Sequence, residues 1–167
     1  MSTSSSNIKN IVESLADLLA QRKKRIAFAE SATAGYLMSA FACCVHSEVL
    51  SGGIVCYDAS IKTNLLGVDP KMIDANSAES TPVTEAITRG LSVLIPADYY
   101  IGITGLLKPG GSESPAKPVG TIYTCVIENT DKLSVKNLIE GTAEQIRDQC
   151  LEKTCMLLIE KLSMSTI

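Results

Sequence analysis

The chain begins with apolar residues at Ile8, Ile11, Val12, Leu15, Leu18 and Leu19. That spacing predicts an amphipathic helix over residues 7–20, laid against a core. RIAFA at 25–29 then reads as a short strand, Leu37, Ala40, Phe41 and Cys44 return to helical spacing, and GGIVCY at 52–57 reads as a second buried strand. A short turn of helix follows around IKTNLLGV. The best-marked helix runs over 82–95, with Val83, Ala86, Ile87, Gly90, Leu91 and Leu94 on one face, Thr81 as N-cap and Pro82 as its first residue.

The second half of the chain reads as three strands and a closing helix. DYYIGIT (98–104), VGTIYTCVI (119–127) and LSVKNLIE (133–140) are the strands, and Leu151, Cys155, Leu158 and Leu162 mark the helix. Only ENTDK separates the last two strands, so they must pair antiparallel, since a parallel crossover needs a dozen residues or more. The expectation is a three-layer α/β/α single domain over 7–167, built on a mixed, mostly parallel sheet of about five strands. The Ser-rich residues 1–6 are expected to be disordered. No internal repeat or linker is visible.

Composition narrows the function. With 167 residues, 46% of them hydrophobic, the chain can bury one sizeable core. A net charge of −3 argues against nucleic acid as a partner, and the one basic run, QRKKR at 21–25, reads as a solvated turn. No apolar stretch approaches the ~20 residues of a membrane span, and the polar start has no signal-peptide core, so a cytoplasmic location without membrane contact is expected. The six cysteines show no CxxC pair and lie in apolar stretches, which reads as buried free thiols and no metal.

Polar residues gather where strands end. Ser31, Tyr57 and Thr104 each fall at the carboxyl end of an expected strand, the end at which open α/β sheets bind ligands. The same end receives TGLLKPGGSESPAKPVG (104–120), whose Gly110 and Gly111 allow an anion cradle as well as a plain surface loop. The single histidine, His46, reads as an ordinary surface residue. A serine nucleophile would then need another base, and Lys62, five residues after Tyr57, could reach the same crevice; spacing alone favours a solvated lysine instead. Ser31 could also merely cap the following helix.

The segments AESATAG, SGGIVCYDASIKTNLLGV, ITGLLKPGG…KPVGT and GTAEQIR, in this order and spacing, resemble the CinA C-terminal domain family, the nicotinamide-nucleotide amidohydrolases of the PncC type. The resemblance spans about residues 8–162. It implies a Ser/Lys amidase, without metal or cofactor, that converts nicotinamide mononucleotide to nicotinic acid mononucleotide and ammonia in pyridine-nucleotide salvage. Matched position by position, Ser31 is the nucleophile, Lys62 the base and Tyr57 an aid to proton transfer. Glu30, Ala32, Thr33, Thr104, Gly105, Gly110, Gly111 and Arg147 fall on the substrate side. Amides around Ala32 and Thr33 would hold the oxyanion. Arg147 and the Gly110–Gly111 turn would take the phosphate, although Arg147 alone reads as a surface residue. The resemblance also implies a homo-oligomer, with a dimer suggested.

The chain departs from that pattern in places. ESATAG stands where the family reads ESCTGG, so Ala32 replaces Cys and Ala34 replaces Gly. Leu107 and Lys108 replace Ala and Gly in the glycine-rich loop, and Ala143 replaces the first Arg of GDRxxIR. A catalytically weak or inactive paralogue acting as a nucleotide-binding or regulatory protein is the alternative these changes imply.

Overall fold

The computed structural model describes the backbone of residues 2–164 and side chains from residue 6 onward. The first helix, α1 (Ser2–Gln21), starts five residues before its expected beginning. No apolar position marks this extension, which is why periodicity misses it. Met1 and residues 165–167 of the expected domain lie outside the described residues.

A five-stranded sheet follows, from β1 (Ile26–Glu30), β2 (Leu50–Val55), β3 (Tyr99–Gly105), β4 (Thr121–Glu128) and β5 (Asp131–Leu138), in the order β2-β1-β3-β4-β5. β1 pairs parallel with β2 and β3, whereas β4 is antiparallel to both its neighbours. Four strands therefore run one way and β4 runs against them. The β4–β5 turn is tighter than expected: Glu128 pairs with Asp131, and Asn129 takes a left-handed φ of 52° to reverse the chain.

Alternation along the central strands divides the core in two. Ile26 and Phe28 of β1, with Tyr99, Ile101 and Ile103 of β3, face α1, α2 (Tyr36–Ala42) and α6 (Ala143–Met164). Ala27 and Ala29 point the other way, into a smaller cluster with Leu66, Val68 and α5 (Thr81–Leu94) residues Val83, Ile87 and Leu91. Helices cover both faces, giving the three layers expected. Gly102 lets α5 lie close to the sheet: a Cβ there would be 1.9 Å from Thr88 Oγ1. None of the described helices is long and apolar enough to cross a membrane.

Several local expectations change. α5 is capped by Ser80 rather than Thr81, which puts Pro82 second in the helix, where its missing N–H costs nothing. Helices α3 (Ala59–Asn64) and α4 (Pro70–Asn76) follow β2, and α4 is not expected from the apolar pattern. Asp69 caps α4 by accepting from the Lys71 amide at 2.9 Å. Among the cysteines, Cys56, Cys125, Cys150 and Cys155 are buried, but Cys43 is exposed and Cys44 half-buried, because the last turn of α2 and its exit face outward; all six are free.

Candidate functional site

β1, β2 and β3 end side by side, and their ladder continues past the strands. The Ser31 amide donates to Ile103 O at 2.9 Å, and the Cys56 amide to Glu30 O at 2.8 Å. Ser31 is thus hydrogen-bonded in place before α2 begins. The turn after it is held by Glu30, a fully buried carboxylate. Its Oε2 accepts from Thr33 Oγ1 at 2.7 Å, Gly35 N at 2.9 Å and Leu37 N at 3.2 Å, while Oε1 accepts from Met38 N at 2.8 Å. This satisfies the otherwise unpaired amides of the α2 start and places negative charge at the positive end of the helix. Glu30 and Thr33 are both buried and outside the lining of the cavity beside Ser31; Glu30 holds backbone amides, and Thr33 donates to Glu30. Ala34 pays for the turn with a φ of 51°, a left-handed conformation that disfavours any side chain.

Lys62 of α3 is 1% exposed and Ser31 5%. The lysine Nζ donates to Cys56 O at 2.7 Å and Tyr57 O at 3.4 Å and lies 3.1 Å from Ser31 Oγ. The solvated lysine that spacing alone allows is therefore replaced by a buried one, because α3 folds back beneath the end of β2. As an ammonium, Lys62 has three donors for three acceptors. As an amine it can keep both carbonyls and present its lone pair to the serine hydroxyl. Burial pushes the neighbouring Cys56 thiol up to about 11 despite the opposing pull of Lys62, so this thiol stays protonated beside the pair at neutral pH.

Ser31 opens on a cavity of about 430 Å³ lined also by Ala32, Tyr57, Glu79, residues 105–111 and Ala143, with Lys62 buried behind it. It lies at the carboxyl ends of β1, β2 and β3, as expected for such a sheet. Tyr57 stands at its rim, 62% exposed, and touches Lys62 through its carbonyl rather than its phenol. Among the described residues, the amides of Ala32 and Thr33 donate to no protein acceptor; Ala32 lines the cavity, whereas Thr33 is buried outside its lining.

Besides Glu30 and Thr33, two more expected substrate residues, Thr104 and Arg147, lie outside the cavity lining. Thr104 is fully buried, its Oγ1 2.8 Å from Thr84 Oγ1. Since the Thr84 hydroxyl already donates to Ser80 O at 2.7 Å, Thr104 must be the donor between them. It braces β3 on α5 behind the cavity. Arg147 lies one turn beyond Ala143 on α6, its guanidinium 4.0 Å over the Tyr36 ring and 3.9 Å from Asp148, outside the cavity lining.

The long loop 106–120 is ordered by contacts its composition does not announce. Lys117 Nζ, largely buried, donates to Ser77 Oγ at 2.5 Å, Ser112 Oγ at 2.6 Å and Glu79 O at 3.1 Å, and Ser112 also donates to the Glu79 carboxylate. Nothing in the sequence singles out Glu79 or Lys117, because Lys117 meets Ser77 and Glu79 from 40 and 38 residues away. His46 is exposed beside Glu48, as expected. Among the described residues, no three His, Cys, Asp or Glu side chains cluster as a metal site.

Both the sequence and the fold match known proteins. Residues 8–162 match the CinA C-terminal domain, and the chain belongs to that family. It is 37% identical over 153 residues to a CinA-like protein of Mycolicibacterium gilvum, covering 90% of this chain and 36% of the relative. It is 32% identical over 157 residues to a CinA-like protein of Thermotoga maritima, covering 93% and 37%. The chain thus spans about a third of the length of these curated relatives. Among solved structures, a CinA-superfamily protein of Klebsiella pneumoniae 700603 superposes with a TM-score of 0.88 at 25% identity, covering 93% of this chain and 98% of that one. The competence/damage-inducible protein CihA of Agrobacterium tumefaciens superposes at 0.86 and 22% identity, covering 93% and 95%.

Proposed function

We propose that the protein is an amidohydrolase that converts nicotinamide mononucleotide to nicotinic acid mononucleotide and ammonia by a Ser/Lys mechanism. The observation that carries this reading is the 3.1 Å approach of Lys62 Nζ to Ser31 Oγ on the wall of an open cavity. Lys62 in its amine form takes the Ser31 proton as Oγ attacks the carboxamide carbon. The amides of Ala32 and Thr33 receive the oxyanion, Lys62 returns the proton to the departing nitrogen, and ammonia leaves an ester on Ser31. Water, deprotonated by Lys62, then adds to the ester and releases the acid. Tyr57 at the rim aids proton transfer to and from the substrate.

The test is incubation with nicotinamide mononucleotide, measuring ammonia and the acid product against a Ser31→Ala control. Equal product from both proteins would refute the reading. A second reading, a nucleotide-binding relative without turnover, draws support from Leu107, Lys108 and Ala143, which narrow or alter the cavity lining at positions where the resembled pattern differs. Binding of the mononucleotide without ammonia release would select it.

A further inference from the structure

Two consecutive backbone amides on the cavity wall converge on one carboxylate. Gly110 N donates to Glu113 Oε1 and Gly111 N to Glu113 Oε2, each at 2.8 Å, so each amide takes one oxygen of the same planar group. Gly110 reaches this geometry with a φ of 95°, and a Cβ there would meet nothing, so glycine is required by conformation and not by space. The amides, chiefly that of Gly110, hold the Glu113 carboxyl below the usual glutamate range. Both glycines line the cavity that Ser31 opens on, and so does Lys108, an exposed cation that makes no ion pair among the described residues. Glu113 is itself exposed and outside the cavity lining, so on leaving the amides its carboxylate returns to water.

We propose that the Gly110 and Gly111 amides, with Lys108 beside them, form an oxyanion-binding site that Glu113 fills from within the chain, and that a ligand's phosphate or carboxylate binds there by displacing Glu113. Glu113 then acts as a tethered competitor. It excludes weak anions from the cavity and admits those whose remaining contacts with the cavity compensate for its displacement. The Gly110–Gly111 turn is where the resemblance puts the substrate phosphate, so this inference rests on that reading and adds Glu113 as the competitor; it needs no turnover at Ser31, and anion binding tests it separately.

The experiment is amide NMR on the labelled full chain, titrated with sodium phosphate and, separately, sodium acetate, for the parent, Glu113→Ala and Glu113→Gln. Phosphate is expected to shift the Gly110 and Gly111 resonances. If Glu113 occupies the amides about nine-tenths of the time, its loss tightens apparent affinity about tenfold, with Glu113→Gln between the two. Acetate acting on the same amides extends the ligand class to carboxylates, and phosphate acting alone confines it to phosphate; either supports the site. The proposal is overturned if neither ion moves these resonances in Glu113→Ala, or if affinity is the same with and without Glu113. A Ser31→Ala background should leave the result unchanged.

Discussion

Lys62 meets Ser31 from a different element, at 3.1 Å, with two backbone carbonyls fixing the direction of approach. The serine is delivered by β1 and the lysine by the short helix after β2, so their distance reports the pairing of the two strands. Lys62→Met keeps much of the side-chain volume and removes the base. Amidase activity should fall on the order of 10²- to 10⁴-fold, while thermal unfolding shows a cooperative transition. Near-parental turnover of this variant would rule out Lys62 as the base.

Thr104 offers a test of brace against contact. Thr104→Val deletes the donor to Thr84 and should cost about 1 kcal/mol in urea unfolding. KM and kcat should change little, because the hydroxyl faces α5 and not the cavity. A large rise in KM with unchanged stability would place the hydroxyl on the substrate.

Ala34 occupies a left-handed backbone position directly after the Ser31 turn. Ala34→Gly should stabilise the fold by about 0.5–1 kcal/mol, the relieved strain exceeding the added entropy of the unfolded chain. Denaturant titration of the two proteins measures this, and a less stable glycine variant would show that Ala34 is unstrained.

Asp98 supplies a pH-dependent term at the start of β3. Burial alone would raise its carboxyl, but the hydrogen bonds from Lys24 and the Arg25 amide outweigh it and hold the group below its ordinary value. A carboxyl depressed in the folded state stabilises above its unfolded pKa, and that contribution is lost as pH falls through the folded value. Stability should therefore decline below about pH 4. Asp98→Asn should be less stable at neutral pH and flatten this part of the curve; equal slopes in both proteins would remove Asp98 from the acid response.

The sheet and its two helical layers were legible because Phe28 and Ile101 alternate with Ala27 and Gly102, and α5 carries an uninterrupted apolar face. The helix over 70–76 was not, since its burial is slight and only the Asp69–Pro70 pair marks its start. Ser31 and Tyr57 could be placed near one another from strand ends alone. The burial of Lys62 could not, because nothing in local spacing tells a lysine folded beneath a strand from one in water. Thr104 is marked by a strand end and a motif, Arg147 by a motif alone, and neither kind of position specifies direction: Arg147 stacks on Tyr36 and Thr104 turns into α5. The Glu113 cradle depends on the three-dimensional course of a loop whose composition reads as mere irregularity.

Ser31 and Cys56 are tied to the sheet ladder, and the wall formed by residues 106–120 leaves that sheet at Leu106 and returns to it at Gly120, its span between them moored through Lys117 to the segment ahead of α5. Among the described residues, the Lys117 contacts share no hydrogen bond with the Ser31–Lys62 pair. A lineage can therefore rewrite the wall, as Leu107 and Lys108 illustrate, while the nucleophile and its base inherit their geometry unaltered; what the cavity admits and what happens inside it are free to evolve at different rates.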